Sequence, residues 1–306
     1  LGYVVENRWL GSVLMNRLKD EAIEICGNTQ IDTLKPRSNG IDISMKVGAN
    51  SSQEELNVRT DLVIIADGAD STTARKLGIN SKRSAYGQTA IIANIQLNQR
   101  HQGVAYERFT DQGPMALLPL PDYKGQYRSA LVWAQPEETA SQLVEASDED
   151  FLRSLQQRFG HRLGTFKQVG QRTAYNLVLT LASEQVRRNV VVMGNAAHSL
   201  HPVAGQGFNL SLRDAAALAE KLSEARIQQK SIGSLETLEC YYQQQLIDQR
   251  NTLVFSDSLT KFFAGPSNVA AMGRNSGLLA LDLVPQLRHR FIKFGMGMTA
   301  PEAGHG

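Results

Sequence analysis

Residues 194–209, Gly-Asn-Ala-Ala-His-Ser-Leu-His-Pro-Val-Ala-Gly-Gln-Gly-Phe-Asn, narrow the choice of fold more than any other stretch. The preceding residues 189–193, Asn-Val-Val-Val-Met, form a short β-branched run of the kind buried in a parallel sheet. The following residues 210–226 are rich in alanine and leucine and predict a helix. The chain here reads strand, glycine-punctuated loop, helix. Gly205 and Gly207 let the backbone come close to a ligand. The helix start offers unpaired N–H groups and a partial positive charge. That suits an anionic or electron-rich cofactor. By spacing alone, an ordinary strand-to-helix crossover explains the stretch equally well.

A second informative stretch covers residues 61–75. Residues 62–66 predict a buried strand, and Asp67-Gly68-Ala-Asp-Ser71 then turns into a helix containing Arg75, with Ser71 a candidate N-cap. An Asp-Gly turn after an apolar strand is common in α/β proteins. Upstream, residues 1–5 predict a strand, and 10–19 a helix with Leu10, Val13, Leu14 and Leu18 on one face. Residues 23–25, 40–47 and 55–60 predict short strands, with Asn39-Gly40 as a hairpin signal. Residues 89–97, 104–109, 115–120 and 127–133 predict four strands without intervening helices, which argues for a mainly antiparallel sheet. Ser147 with its acidic followers predicts a capped helix to about Phe159, so the acidic cluster reads as a helix start and not a catalytic pair. Residues 165–181 hold more strand material, and 234–264 predict a long helix followed by one or two more over 268–298.

Across the whole of 194–209, the sequence resembles the second flavin-binding motif of the class A flavoprotein aromatic hydroxylases, the family of para-hydroxybenzoate hydroxylase. That motif runs Gly-Asp-Ala-Ala-His, then Pro, then a glycine loop ending in Gly-x-Asn. Gly194, Ala196, Ala197, His198, Pro202, Gly207 and Asn209 fall in place. Asn195 stands where the family usually has aspartate; an amide still hydrogen-bonds a ribityl hydroxyl but brings no charge. With His201-Pro202, the stretch most resembles the ubiquinone-biosynthesis branch, which includes 2-octaprenyl-6-methoxyphenol hydroxylase. Asp67-Gly68 resembles the family's Asp-Gly motif, whose aspartate touches FAD and the pyrophosphate region of the nicotinamide cofactor. Here Ser71 and Arg75 are four apart where the family usually has three, which leaves Arg75 in doubt. Arg8 occupies the place of an arginine that reaches the cofactor; a solvated helix-end arginine is an equal reading. Residues 106–109 and 113–120 resemble strands of the substrate sheet, whose apolar residues suit a prenylated phenol; most of them read as sheet core.

The resemblance implies a mixed α/β (α+β) fold: a partial FAD-binding α/β layer, an inserted, mainly antiparallel substrate sheet, and C-terminal helices. The expected domains are 1–83 with 171–230 for FAD, 84–170 for substrate, and 231–306 as a helical region. The implied cofactors are FAD and, as reductant, NADPH or NADH. The implied reaction is hydroxylation of a prenylated phenol's aromatic ring through a flavin C4a-hydroperoxide, with other ubiquinone-biosynthesis proteins as partners. Pro202, Gly205, Gly207, Phe208 and Asn209 are the expected flavin contacts. Asn195 and Asp67 fall on the ribityl and pyrophosphate sides, with Gly68, Gly194 and Arg8 completing the set. No catalytic side chain is assigned. His198 and His201 are three apart, but no third ligand with suitable spacing accompanies them, so a flavin-loop role is expected and no metal.

Two further hypotheses stand beside this one. A catalytically silent scaffold of a quinone-biosynthesis complex would keep the fold without turnover, and a reductase or dehydrogenase on the same fold would lack the 194–209 match. The family's Gly-x-Gly-x-x-Gly segment is not found in these residues. The expectation is a chain lacking the N-terminal part of its cofactor domain, binding FAD weakly or not at all; the rival is a protein that never carried that part. With 306 residues there is room for one large domain or two. A net charge of +2 makes no case for nucleic acid. Cys26 and Cys240 form no CxxC pair and fit a reducing compartment. No membrane-length apolar run or signal peptide is visible, so a cytoplasmic location is expected. Leu287, Phe291 and Phe294, interleaved with Arg288, Arg290 and Lys293, form a basic amphipathic stretch. It suits peripheral contact with the inner membrane or a partner, or equally a helix packed on the body with its charges in solvent. The glycine-rich end, 295–306, is expected to be poorly ordered.

Overall fold

A computed structural model describes residues 2–48, 54–202, 205–264, 283–286 and 289. The basic amphipathic stretch and most of the helical region expected over 268–298 lie outside the described residues, as does the glycine-rich end. In chain order the elements are α1 (Asn7–Lys19), β1 (Thr29–Arg37), β2 (Gly40–Val47), β3 (Glu54–Thr60), β4 (Val63–Ile65), α2 (Thr72–Lys76) and β5 (Ser81–Leu97). Then come β6 (Tyr106–Thr110), β7 (Gly113–Tyr123), β8 (Gln126–Pro136), α3 (Glu137–Glu145), α4 (Asp148–Phe159), β9 (Phe166–Val169) and β10 (Thr173–Ala182). The rest are β11 (Val186–Arg187), β12 (Val190–Val192), β13 (His198–Ser199), α5 (Gln206–Ile227) and α6 (Leu235–Ala264), with a 3₁₀ turn at Gly194–Ala196. This is a mixed α/β fold.

Several local expectations are corrected. Residues 2–6 form no strand, since extended backbone becomes one only when paired, and no described strand pairs with it. Residues 23–25 are likewise irregular, and the strand lies later, at β1. The apolar face of α1 is not buried: Val13 is 64% and Leu14 53% exposed. Helix α5 starts at Gln206, four residues before the predicted start, because Gly205 takes a left-handed conformation (φ 61°) that launches the helix there. Helix α3 was not anticipated, although Pro136 followed by Glu137 and Glu138 is an N-terminal signature.

The chain forms two compact units, and α1, β5, β10 and α6 each pass from one to the other. The first comprises Leu1–Met15, Ala85–Leu177 and the described part of Asp257–Met296. Its sheet runs β5-β8-β7-β6, all antiparallel, with β9 also on β5. Strand alternation sends Ile91, Ile95, Leu117, Leu131 and Trp133 to one face, where α3 and α4 cover them with Ala140, Phe151, Leu155 and Phe159. Trp133 meets Phe151 edge to face, ring centroids 5.9 Å apart. Ser147 caps α4 by accepting from the Asp150 N–H, as its sequence predicts.

The second unit comprises Asn16–Ser84 and Val178–Ser256. It holds an antiparallel sheet β1-β2-β3 and a small sheet β11-β12-β4, in which β12 and β4 run parallel. Val190 and Val192 face a core with Ile41, Ile65 and Ile79, while Val191 faces Ala217, Leu218, Leu238 and Tyr241. Burial on both faces is why 190–192 reads as an unbroken apolar run.

Candidate functional site

The register of β4 and β12 brings the two informative stretches together. Val190 pairs with Val63, Val191 with Ile64 and Val192 with Ile65, and the Met193 N–H donates to the Ile65 carbonyl at 2.9 Å. Both strands therefore end at one level. Asp67-Gly68 leaves one and Gly194-Asn195 leaves the other, at the carboxyl edge where open α/β sheets bind ligands.

On the β4 side the backbone turns at Gly68 (φ 95°), and a Cβ there would meet nothing within 4 Å. Ser71 caps α2, its hydroxyl accepting from the Ala74 N–H at 3.0 Å. The Thr73 N–H donates to Asp67 Oδ2 at 3.3 Å. Desolvation pushes the Asp67 carboxyl up. Hydrogen bonds from Ser71 and Thr73 outweigh it, so Asp67 sits below the ordinary carboxylate value. Asp67 is thus an oriented, exposed anion.

On the β12 side, Gly194 (φ 60°) opens the 3₁₀ turn, and a Cβ there would meet Ser211 Oγ of α5 at 3.7 Å. Asn195, Pro202, Gly205, Phe208 and Asn209 are exposed. Helix α5 begins on Gly205 with no side-chain cap. Gly207 and Phe208 lie in its first turn, whose amides have no intrahelical acceptor. The Asn209 amide reaches back to the Gly205 carbonyl at 3.5 Å. Beside this turn Phe208 presents its ring to solvent, 55% exposed.

The two histidines of the loop are not on its surface. His198 Nε2 lies 2.6 Å from Asp214 Oδ2, both side chains fully buried. Asp214 Oδ1 accepts from Gln249 Nε2 at 3.1 Å, and Gln249 Oε1 from Gln185 Nε2 at 3.0 Å. Asp214 was missed from the sequence. Its signal was a carboxylate on the buried stripe Leu210, Asp214, Ala217, Leu218. His201 is 1% exposed, and burial pushes its imidazole down to about 4. An unfolded histidine titrates near 6.5, so between these values the unfolded state binds more protons. His201 therefore imposes no penalty above pH 6.5 and removes up to about 3 kcal/mol of stability as pH falls from there towards 4. Urea unfolding at several pH values should show that loss, and His201→Gln should flatten it.

Arg8 belongs to the other unit, exposed near the start of α1, its guanidinium 5.3 Å from the Trp9 ring centroid. The structure therefore gathers Asp67, Gly68, Gly194, Asn195, Pro202, Gly205, Gly207, Phe208 and Asn209 within one unit.

Comparison with known proteins shows the family of the chain. The family model for an FAD-binding domain matches residues 4–242. This chain belongs to that family. The chain is 33% identical over 298 residues to ubiquinone hydroxylase UbiL of Rhodospirillum rubrum, covering 97% of this chain and 67% of that protein. It is 29% identical over 271 residues to the mitochondrial ubiquinone biosynthesis monooxygenase COQ6 of Mus musculus, covering 78% of this chain and 56% of that one. The chain thus spans from just over half to two-thirds of the length of these relatives. Its fold matches p-nitrophenol 4-monooxygenase PnpA from Pseudomonas putida with a TM-score of 0.73 at 19% identity, over 97% of this chain and 73% of that one.

The residues of the domain fit FAD. The uncapped first turn of α5 suits the electron-rich edge of a flavin. The open space beside Gly68 and Gly205 admits a ligand against the backbone, and Asp67 and Asn195 offer acceptors to a ligand's hydroxyl groups. No helix among the described residues is long and apolar enough to cross a membrane.

Proposed function

We propose that this chain forms the cofactor- and substrate-handling part of an NAD(P)H-dependent flavin monooxygenase that hydroxylates the aromatic ring of a prenylated phenol in ubiquinone biosynthesis. One observation carries the reading: the parallel register of β4 and β12 sets Asp67-Gly68 and Gly194-Asn195 at one sheet edge. The names of the Rhodospirillum and mouse relatives support the pathway.

Bound FAD supplies the redox chemistry that activates oxygen. The chain's own residues bind and orient. Asp67 and Asn195 hold the polar chain of the cofactor. The amides of the α5 first turn would stabilise negative charge on a bound flavin, by on the order of 1 kcal/mol at an exposed site. Phe208 offers apolar cover that excludes water. We assign the second unit to FAD and the first to substrate.

On the sheet of the first unit, the face opposite Trp133 carries half-buried Ala116, Leu118, Ala130 and Val132, an apolar surface suited to a prenyl chain. Polar groups border it. The Glu6 carboxylate accepts from Asn94 Nδ2 at 2.9 Å and from Arg128 Nη2 at 3.3 Å. These groups would meet the phenol oxygen. No side chain is assigned as general base, because the phenol hydroxyl already activates its own ring. Since a prenylated substrate resides in lipid, the proposed place of action is the cytoplasmic surface of the inner membrane.

The test is the absorbance spectrum of the protein expressed from its natural start, together with oxygen uptake on adding NAD(P)H. An oxidised-flavin spectrum with turnover stimulated by a 2-methoxy-6-prenylphenol supports the hydroxylase. A colourless, well-folded, inert protein would replace it with the scaffold role.

A further inference from the structure

We propose that His198 and Asp214 are a positioning pair that clamps the base of the cofactor loop and sets the direction of the first turn of α5. The proposal rests on reading 194–209 as the flavin-holding stretch. His198 stands immediately before the loop, its backbone fixed where β13 pairs with β10, Leu181 opposite His198. Asp214 lies on α5, about two turns beyond the Gln206 start. The loop thus leaves the sheet at one member of the pair and returns in the helix that carries the other. The contact of 2.6 Å between two fully buried side chains fixes the distance between those ends.

Packing alone does not account for this choice of residues. A buried carboxylate is costly unless paired and hydrogen-bonded, and apolar residues of similar volume often stabilise as well or better. What a buried, hydrogen-bonded pair adds is direction, because only one register satisfies it. Here that register is shared more widely. Gln249 of α6 holds the second Asp214 oxygen, and Gln185 holds Gln249. A line of four side chains thus runs from the start of the loop through α5 and α6 to the turn before β11. The hydrogen bonds described for this line join its members to one another, which is the arrangement of groups that position and do not catalyse.

The test compares the wild type with the triple variant His198→Leu, Asp214→Ala, Gln249→Met. That variant replaces the pair by apolar side chains of similar summed volume and removes the amide that would face them. The thermal midpoint should stay at or above that of the wild type. The FAD dissociation constant, from flavin fluorescence, should rise about tenfold or more, the scale of one misplaced hydrogen bond. Amide exchange of residues 206–209 in the FAD-free protein should quicken. If the triple variant does not fold, His198→Gln and His198→Asn decide. Glutamine keeps a donor long enough to reach Asp214 and should hold FAD as the wild type does, while the shorter asparagine should not. Equal FAD affinity in wild type and triple variant, or in the two single variants, overturns the clamp alone. The variants and the wild type are all expressed from the natural start, and a wild type of that length that takes up no FAD at any concentration overturns both the clamp and the functional reading beneath it.

Discussion

Gly233→Ala is expected to destabilise the fold by roughly 3 kcal/mol or more, the range of backbone clashes with no room to relax. A Cβ at Gly233 would lie 2.1 Å from the Asp61 carbonyl oxygen and 2.2 Å from Asn189 Nδ2. The first of these is backbone and cannot swing aside. Gly233 closes a joint built on Asn189, which is 5% exposed and left-handed (φ 64°). The Asn189 N–H donates to the Gly233 carbonyl at 2.8 Å, its carbonyl accepts from the Val63 N–H at 2.8 Å, and its side chain donates to the Asp61 carbonyl at 2.6 Å. This joint starts β4 and β12 at the same level, and their common register is what delivers Asp67 and Gly194 to one edge. Urea unfolding should show a lower midpoint with an unchanged slope. Gly11→Ala is the control. It sits in the exposed helix α1 with nothing within 4 Å of a new Cβ, and should gain about 0.5–1 kcal/mol. Equal midpoints for wild type and Gly233→Ala would show that the joint does not hold the register.

The second large effect is on cofactor affinity. Asp67→Asn keeps the size of the side chain and removes its charge. The loss of a charged hydrogen bond to a ribityl or pyrophosphate-side donor should cost about 1.5–3 kcal/mol, roughly a ten- to hundredfold weaker FAD complex. Asp67 is exposed, and its environment serves to orient it more than to hold the fold. The thermal midpoint of the FAD-free protein should therefore barely move. Calorimetric titration separates the two. Undiminished FAD affinity in Asp67→Asn would remove Asp67 from the site.

What the sequence shows and what it hides follow from how local each signal is. Gly40–Val47 alternates regularly and ends a two-residue turn, so it is legible as a strand. The four strands β5 to β8 of the first unit are legible for the same reason. Strand β1 is not, because a bulge between Ile31 and Thr33 breaks the two-residue period and Pro36 reads as a breaker. Residues 1–5 mislead in the opposite sense: they are apolar enough for a strand, but the described ones, 2–5, have no strand partner among the described residues. The amphipathic pattern of α1 predicts its helix correctly but not its exposure, since periodicity reports which residues share a face and not what covers it.

The candidate site divides in the same way. Its motifs are visible as short strings because each is a local turn with its own glycine chemistry. Their meeting is not, since it depends on the parallel pairing of strands more than 120 residues apart. The His198–Asp214 contact is local in number and still hidden, because helix α5 was expected to begin at 210 and a buried carboxylate runs against the burial preferences of side chains.

The most direct test of the central claim is amide hydrogen exchange of the protein with and without saturating FAD. Slowed exchange at Gly68 and at residues 206–209, with the β1-β2-β3 sheet unchanged, is the predicted result. Protection confined to that sheet, or none at either segment while FAD is bound, would contradict the assignment of the β4–β12 edge as the flavin site.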